Sequence, residues 1–165
     1  PDGVPARERA PQQQVARLGG RPARSPCVSG RPDDRGAVQT HFILYVADQQ
    51  RSTRFYQSVL GIAPRLNVPG MTEFALSDGC VLGLMPEAGI KALLGAAIAD
   101  PAEARGAPRC ELYLLVDEPA AFHARALAAG GRELSALAAR DWGHSAAYSL
   151  DLDGHVVAFA ATASA

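Results

Sequence analysis

"HFILYVADQQRSTRFYQSVLG", residues 41–61, decides the fold. Its first half is an apolar run with the period of an extended strand, ending at Asp48. Its second half places Phe55, Tyr56, Val59 and Leu60 at helical spacing. Asp48 suits the cap of that helix because its carboxylate accepts from the free N–H groups of the first turn. Gly61 suits the stop because it adopts a left-handed backbone without strain. A strand feeding a helix through so short a link is the opening of a β–α unit.

Working outward, the same pattern returns 69 positions later, since "CELYLLVD" (110–117) is again a strand ending at an aspartate. "EPAAFHARALAAGG" follows, with Pro119 in the first helical turn and Gly130 as the stop, so that Asp48 matches Asp117 and Gly61 matches Gly130. Short strands are expected after each helix, near 62–67, 72–77 and 80–86 and near 132–137, 145–151 and 155–161. The last pair in each half is joined by Asp-Gly, at Asp78-Gly79 and Asp153-Gly154, a hairpin signal. Each half is therefore βαβββ. The expected fold is α+β, two tandem βαβββ modules at about 39–86 and 109–162. Residues 87–108 connect them and include a short helix at "IKALLG".

Composition bounds the rest. The chain has 165 residues, 48% of them hydrophobic, and a formal charge of -1. That balance offers no electrostatic case for nucleic acid or a membrane surface, and no apolar run reaches membrane-spanning length. Cys27, Cys80 and Cys110 are few, odd in number and without metal-site spacing, which suits a reducing compartment, so a cytoplasmic protein is expected. Residues 1–37 hold six of the twelve prolines, seven arginines and four acids, with Leu18 alone among Leu, Ile, Phe and Met. Such a stretch buries too little apolar area to offset its ordering entropy and is expected to be disordered. Its +3 subtracted from -1 leaves -4 on residues 38–165. The globular pattern starts abruptly at Val38, and two expectations stand equally: a native start there, or a real disordered tail before it.

The two strand–helix units and the closing segment "DWGHSAAYSLDLDGHVVAFA" (141–160) resemble the vicinal oxygen chelate superfamily of glyoxalases, bleomycin-resistance proteins and extradiol dioxygenases. The closing hairpin of that family usually reads Asp-Pro-Asp-Gly; here Leu152 replaces the proline. The resemblance spans residues 39–161. It implies an open eight-stranded cup with helices outside, and commonly a homodimer. In metal-dependent members it also implies ligands on the first strand of each module and a carboxylate on the last strand of each. Those positions are His41 and Cys110, then Gly83 and Ala158, and neither of the last two carries a donor. No catalytic metal or other cofactor is therefore expected, a divalent ion being the minority alternative. A one-residue slip of the second module would expose Glu111 instead, and Glu73 is a further carboxylate near the cup.

With His41 facing inward, alternation places Ile43 and Tyr45 beside it, with Val81, Gly83 and Met85 on the fourth strand. The same parity places Cys110, Leu112 and Leu114 inward with Val156, Ala158 and Ala160. His41, Tyr45, Cys110, Trp142, His144 and Tyr148 are the candidate ligand contacts, and His41 is the best candidate for acid–base work. Each has a plainer reading: a strand-end cap, a buried thiol, a core aromatic or a solvated imidazole. His123 and His155 are expected at the surface, and Asp78 and Asp153 are read as turn residues. No Gly-rich phosphate loop, nucleophile elbow or His-Glu-x-x-His pattern competes. Two functions remain open. One is a metal-independent protein that binds a small, partly hydrophobic molecule; the other is a glyoxalase-like lyase or isomerase acting on a small carbonyl or thiol conjugate.

Overall fold

In a computed structural model, which describes residues 39–104 and 106–163, the opening stretch forms strand β1 (Thr40–Val46) and helix α1 (Gln49–Leu60). The expected cap is present, since the Asp48 carboxylate accepts from Arg51 N at 2.9 Å. Gly61 closes the helix at φ 69°, in the left-handed region. Strands β2 (Leu66–Val68), β3 (Met71–Ser77) and β4 (Cys80–Pro86) complete the first module. Helix α2 (Glu87–Leu94) and two 3-10 turns lead to β5 (Glu111–Leu115) and helix α3 (Pro119–Ala128). Strands β6 (Arg132–Ala139), β7 (His144–Leu150) and β8 (Val156–Thr162) follow. The extension at residues 1–37 and the start at Val38 lie outside the described residues.

The fold is α+β and duplicated. The eight strands among the described residues form two four-stranded mixed sheets, ordered β1-β4-β3-β2 and β5-β8-β7-β6. In each sheet the module's first strand runs parallel to its last, and the remaining pairs are antiparallel. Helix α1 packs on β3 and β4, α3 packs on β6, β7 and β8, and the two helices touch each other. A single core therefore serves both modules: Leu44, Val46, Phe55, Tyr56, Val59, Phe74, Leu82 and Leu84 meet Leu112, Ala126, Val157 and Phe159. Each large apolar side chain fully buried there contributes about 1.5–3 kcal/mol. The opposite faces of both sheets, turned away from the helices, form the open side of the cup. Among the described residues no helix is long and apolar enough to cross a membrane.

The second module departs from the expected parity. Register pairs Glu111 with Val156, Leu112 with Val157 and Tyr113 with Ala158. Leu112 and Leu114 consequently pack on the helix side, as does Cys110, which precedes the strand and lies against the core. Glu111 and Tyr113 take the open face. The helix also starts one residue later than the matched aspartates suggested, with Glu118 at its cap position and Pro119 in the first turn. Cys110, Leu112 and Leu114 are thus corrected from inward to outward: Glu118, not Asp117, stands where Asp48 caps the first helix, so matching the two aspartates is off by one residue and reverses every facing.

Two further expectations are corrected. His155 and His123 are buried rather than at the surface. Asp151 explains His155: its Oδ2 lies 2.9 Å from His155 Nδ1 and accepts from the Tyr56 hydroxyl at 2.8 Å. Its Oδ1 accepts from the backbone N–H of Asp153 and His155. Burial alone would raise this carboxyl, but the hydrogen bonds and charge of His155, with the Tyr56 hydroxyl, hold it below its ordinary value. Asp153 is more than a turn residue, since it accepts from Ala47 N at 2.9 Å and from Ser52 Oγ at 2.6 Å, both in the first module.

Candidate functional site

On the open face of the first sheet, His41, Ile43 and Tyr45 of β1 stand beside Val81, Gly83 and Met85 of β4, with Met71 and Glu73 of β3 beyond. Glu73 pairs with Gly83, and His41 with Val81, so the two polar side chains reach toward each other over β4. His41 Nδ1 lies 3.4 Å from Glu73 Oε1. The other carboxylate oxygen, Oε2, is gripped by Arg65, at 2.9 Å from Nε and 2.7 Å from Nη2. Glu73 is thus a carboxylate with both oxygens engaged, on a face otherwise lined by Ile43, Met71, Met85, Leu66 and Val68.

Gly83 faces this side as its parity requires, but the space is not open. A Cβ built there collides with Ile43 Cδ1, and Met71 Sδ lies 3.5 Å away. The missing side chain has been replaced by a neighbour that folds over it.

The second sheet presents a different surface. Tyr113 and Tyr148 flank Ala158 across β5, β8 and β7, repeating the way Ile43 and Glu73 flank Gly83. Ala146, Ala158 and Ala160 form a floor with no exposed surface. Above it the Tyr113 hydroxyl lies 2.9 Å from His144 Nδ1 and 3.3 Å from Trp142 Nε1. The Arg140 guanidinium lies 5.2 Å from the centre of the Tyr148 ring. Arg140 is fixed by Nη2, which donates to Ser135 Oγ at 2.7 Å and to Ala146 O at 2.9 Å. Burial, followed by the charge of Glu111 and then Tyr113, pushes the Tyr148 hydroxyl up, with Arg140 opposing. Tyr148 is consequently a neutral donor at physiological pH.

The structure therefore joins two of the sequence candidates, Trp142 and His144, through Tyr113, and sets Tyr148 on the same face. His41 and Tyr45 share the other sheet, four residues apart on one strand. Cys110 joins neither group. Burial, and next the charge of Asp151, raise its thiol against the pull of Arg109, so it is a poor nucleophile at neutral pH. Tyr113, Arg140 and Arg65 were missed. The alternation of "ELYLL" signals Tyr113, because Glu111 and Tyr113 alternate with two leucines; the two arginines sit at strand edges, where periodicity marks nothing.

A divalent ion fits these residues poorly. With the observed register the four marked positions are His41, Glu111, Gly83 and Ala158. Two of them offer no donor, and Ile43 occupies the room at Gly83. Among the described residues no three His, Cys, Asp or Glu side chains come together.

An open cup built from two βαβββ modules is the architecture of the vicinal oxygen chelate superfamily. The family model of the Glyoxalase/Bleomycin resistance protein/Dioxygenase superfamily matches residues 38–159, and the chain belongs to that family. Among solved structures it is similar to a glyoxalase-related enzyme from Fulvimarina pelagi. There the identity is 27%, over 74% of this chain and 86% of that one, with a TM-score of 0.64. It is similar also to a protein from Agrobacterium tumefaciens solved by NMR, at 27% identity over 75% and 96% of the two chains, TM-score 0.58. A glyoxalase/bleomycin resistance protein/dioxygenase family enzyme from Burkholderia phytofirmans shares the fold, at 17% identity over 77% and 100%, TM-score 0.64. No protein with a curated description matches the chain.

Proposed function

We propose that this protein is a cytoplasmic, homodimeric binder of a small, partly hydrophobic organic molecule, held in the cup without a catalytic metal. The observation that carries the reading is the second sheet's open face, where Tyr113, His144, Trp142, Tyr148 and Arg140 stand over an alanine floor with no protein element above them among the described residues. Few polar groups among aromatic ones is the lining expected of a pocket for such a molecule. Gly83 and Ala158, at the positions marked for metal-ligating carboxylates, support the metal-free part. The homodimeric part is supported by each face of the cup being open among the described residues, which leaves room for a second copy of the chain to close it.

Protein purified without chelator should contain less than stoichiometric nickel, zinc, manganese or iron, and its melting temperature should rise with one class of small aromatic or carbonyl compound. A ligand at 100 times its Kd adds about 2.7 kcal/mol, which a thermal shift detects readily. A stoichiometric metal whose removal abolishes ligand binding overturns the reading.

The His41–Glu73 pair favours a second reading, a glyoxalase-like lyase or isomerase in which Glu73 orients the imidazole for proton transfer at a small carbonyl or thiol-conjugated substrate. Turnover of such substrates that falls at least a hundredfold in His41→Gln supports it; no turnover across aldehydes and glutathione adducts rejects it.

A further inference from the structure

The second sheet's open face carries a chain of hydrogen bonds with a direction, and the direction fixes what the face can recognise. An indole N–H is a donor only. Trp142 Nε1 therefore donates to the Tyr113 hydroxyl oxygen, at 3.3 Å. That hydroxyl has one proton of its own, and the nitrogen beside it, at 2.9 Å, is His144 Nδ1. Donation of that proton to Nδ1 leaves Nε2 carrying the imidazole hydrogen, whereas the Nδ1–H tautomer would make the hydroxyl accept twice. The Tyr113 and His144 rings also lie 5.9 Å apart at a tilt of 30°, which holds the pair in place by contact. Arg140 adds a fixed cation to the same face, and Glu111 is the carboxylate that faces Tyr148 from β5. Trp142, 55% exposed, leaves much of its ring free to lie against a planar guest.

We infer that the Tyr113 hydroxyl donates to His144 Nδ1, and that this face therefore takes a planar, apolar molecule bearing a hydrogen-bond acceptor, a carbonyl or carboxylate oxygen, which the Nε2–H of His144 recognises. The inference rests on the reading of the cup as a ligand site, and it assigns Tyr113 as a positioning residue acting through His144. Polarity follows from the chain: an amine or other pure donor would meet a second donor.

Benzoate and benzylamine share a ring and carry opposite head groups, so they serve as probes against the full chain. Trp142 is the only tryptophan, and its fluorescence therefore reports occupancy of this face; the chain has four histidines, and His144→Gln assigns the relevant imidazole signal. Long-range proton–nitrogen NMR spectra of the free protein should show His144 protonated on Nε2 with Nδ1 bare. Tyr113→Phe should move the Nδ1 resonance toward a free acceptor or populate the Nδ1–H form. Benzoate should shift Nε2, quench Trp142 and bind at least tenfold more tightly than benzylamine. In Tyr113→Phe benzoate should weaken about fivefold, the worth of one hydrogen bond. An Nδ1–H form in the free protein, an unmoved Nδ1 in Tyr113→Phe, or benzylamine binding as tightly as benzoate overturns the inference. If His144 has the stated form and neither probe nor any other planar acceptor binds, the reading of the cup as a ligand site falls as well.

Discussion

Ile43 and Gly83 are register partners on paired strands, and the isoleucine covers the bare backbone of the glycine. That Gly83 would face the open side followed from strand periodicity. That its space would be filled did not, because filling depends on the rotamer of a neighbour brought alongside by β-pairing from 40 positions away. The consequence is a testable conflict. Gly83→Glu, the substitution that would restore a carboxylate, drives its Cβ into Ile43 and should destabilise the protein by about 1–3 kcal/mol, the usual result of overpacking. Adding Ile43→Ala should recover part of that loss, although Ile43→Ala alone is destabilising. Urea unfolding of the three variants decides it. Additive losses in the double variant would show that the two side chains do not compete for one space.

Strand β5 shows where reading an element by analogy fails. Counting from aspartate to aspartate placed Cys110 opposite His41, whereas the pairing of Glu111 with Val156 places Glu111 there. The strand's own pattern held the answer, since "ELYLL" alternates a charge and a phenol with two leucines, and the leucines belong in the core. The first module, by contrast, was legible to the residue at its cap and stop, because Asp48 and Gly61 act through local hydrogen bonds that need no tertiary partner. The corrected facing predicts unequal costs along one strand. Leu112→Ala should cost about 2–4 kcal/mol, as expected of a buried leucine. Leu115→Ala, at 65% exposed, should cost less than about 0.5 kcal/mol. Cys110 should also alkylate slowly at pH 8 when followed by peptide mass spectrometry, its rate climbing only above the ordinary thiol range, because its thiol is held protonated by burial and by Asp151. Equal losses at the two leucines, or a fast Cys110, would return the strand to the opposite register.

At the scale of the whole molecule, duplication was legible and the joint between the copies was not. The closing "DLDGH" reads as a hairpin turn, and the turn exists, with Gly154 at φ 90° and a Cβ there meeting the Gly106 backbone at 2.6 Å. Its aspartates, however, face the other module. Asp153 holds the end of β1 and the first turn of α1, and Asp151 holds Tyr56 from the same helix. No local pattern announces a hydrogen bond across 95 residues. Because Asp151 is depressed in the folded state, its contribution to stability is fully present above about pH 3.9, the ordinary aspartate value, and is lost as pH falls below that value through its folded pKa. Asp151→Asn should therefore lower stability at pH 7 by about 2–4 kcal/mol, because a buried network loses its charge. The same substitution should also flatten the fall in stability on the acid side, so that wild type and variant converge as pH drops toward 3. Tyr56→Phe should cost less, about 1 kcal/mol, since it removes one partner of a carboxylate that keeps the others. Chemical denaturation from pH 7 to pH 3 measures all three. A difference between wild type and Asp151→Asn that stays constant across that range would mean that Asp151 acts by shape alone and not by charge.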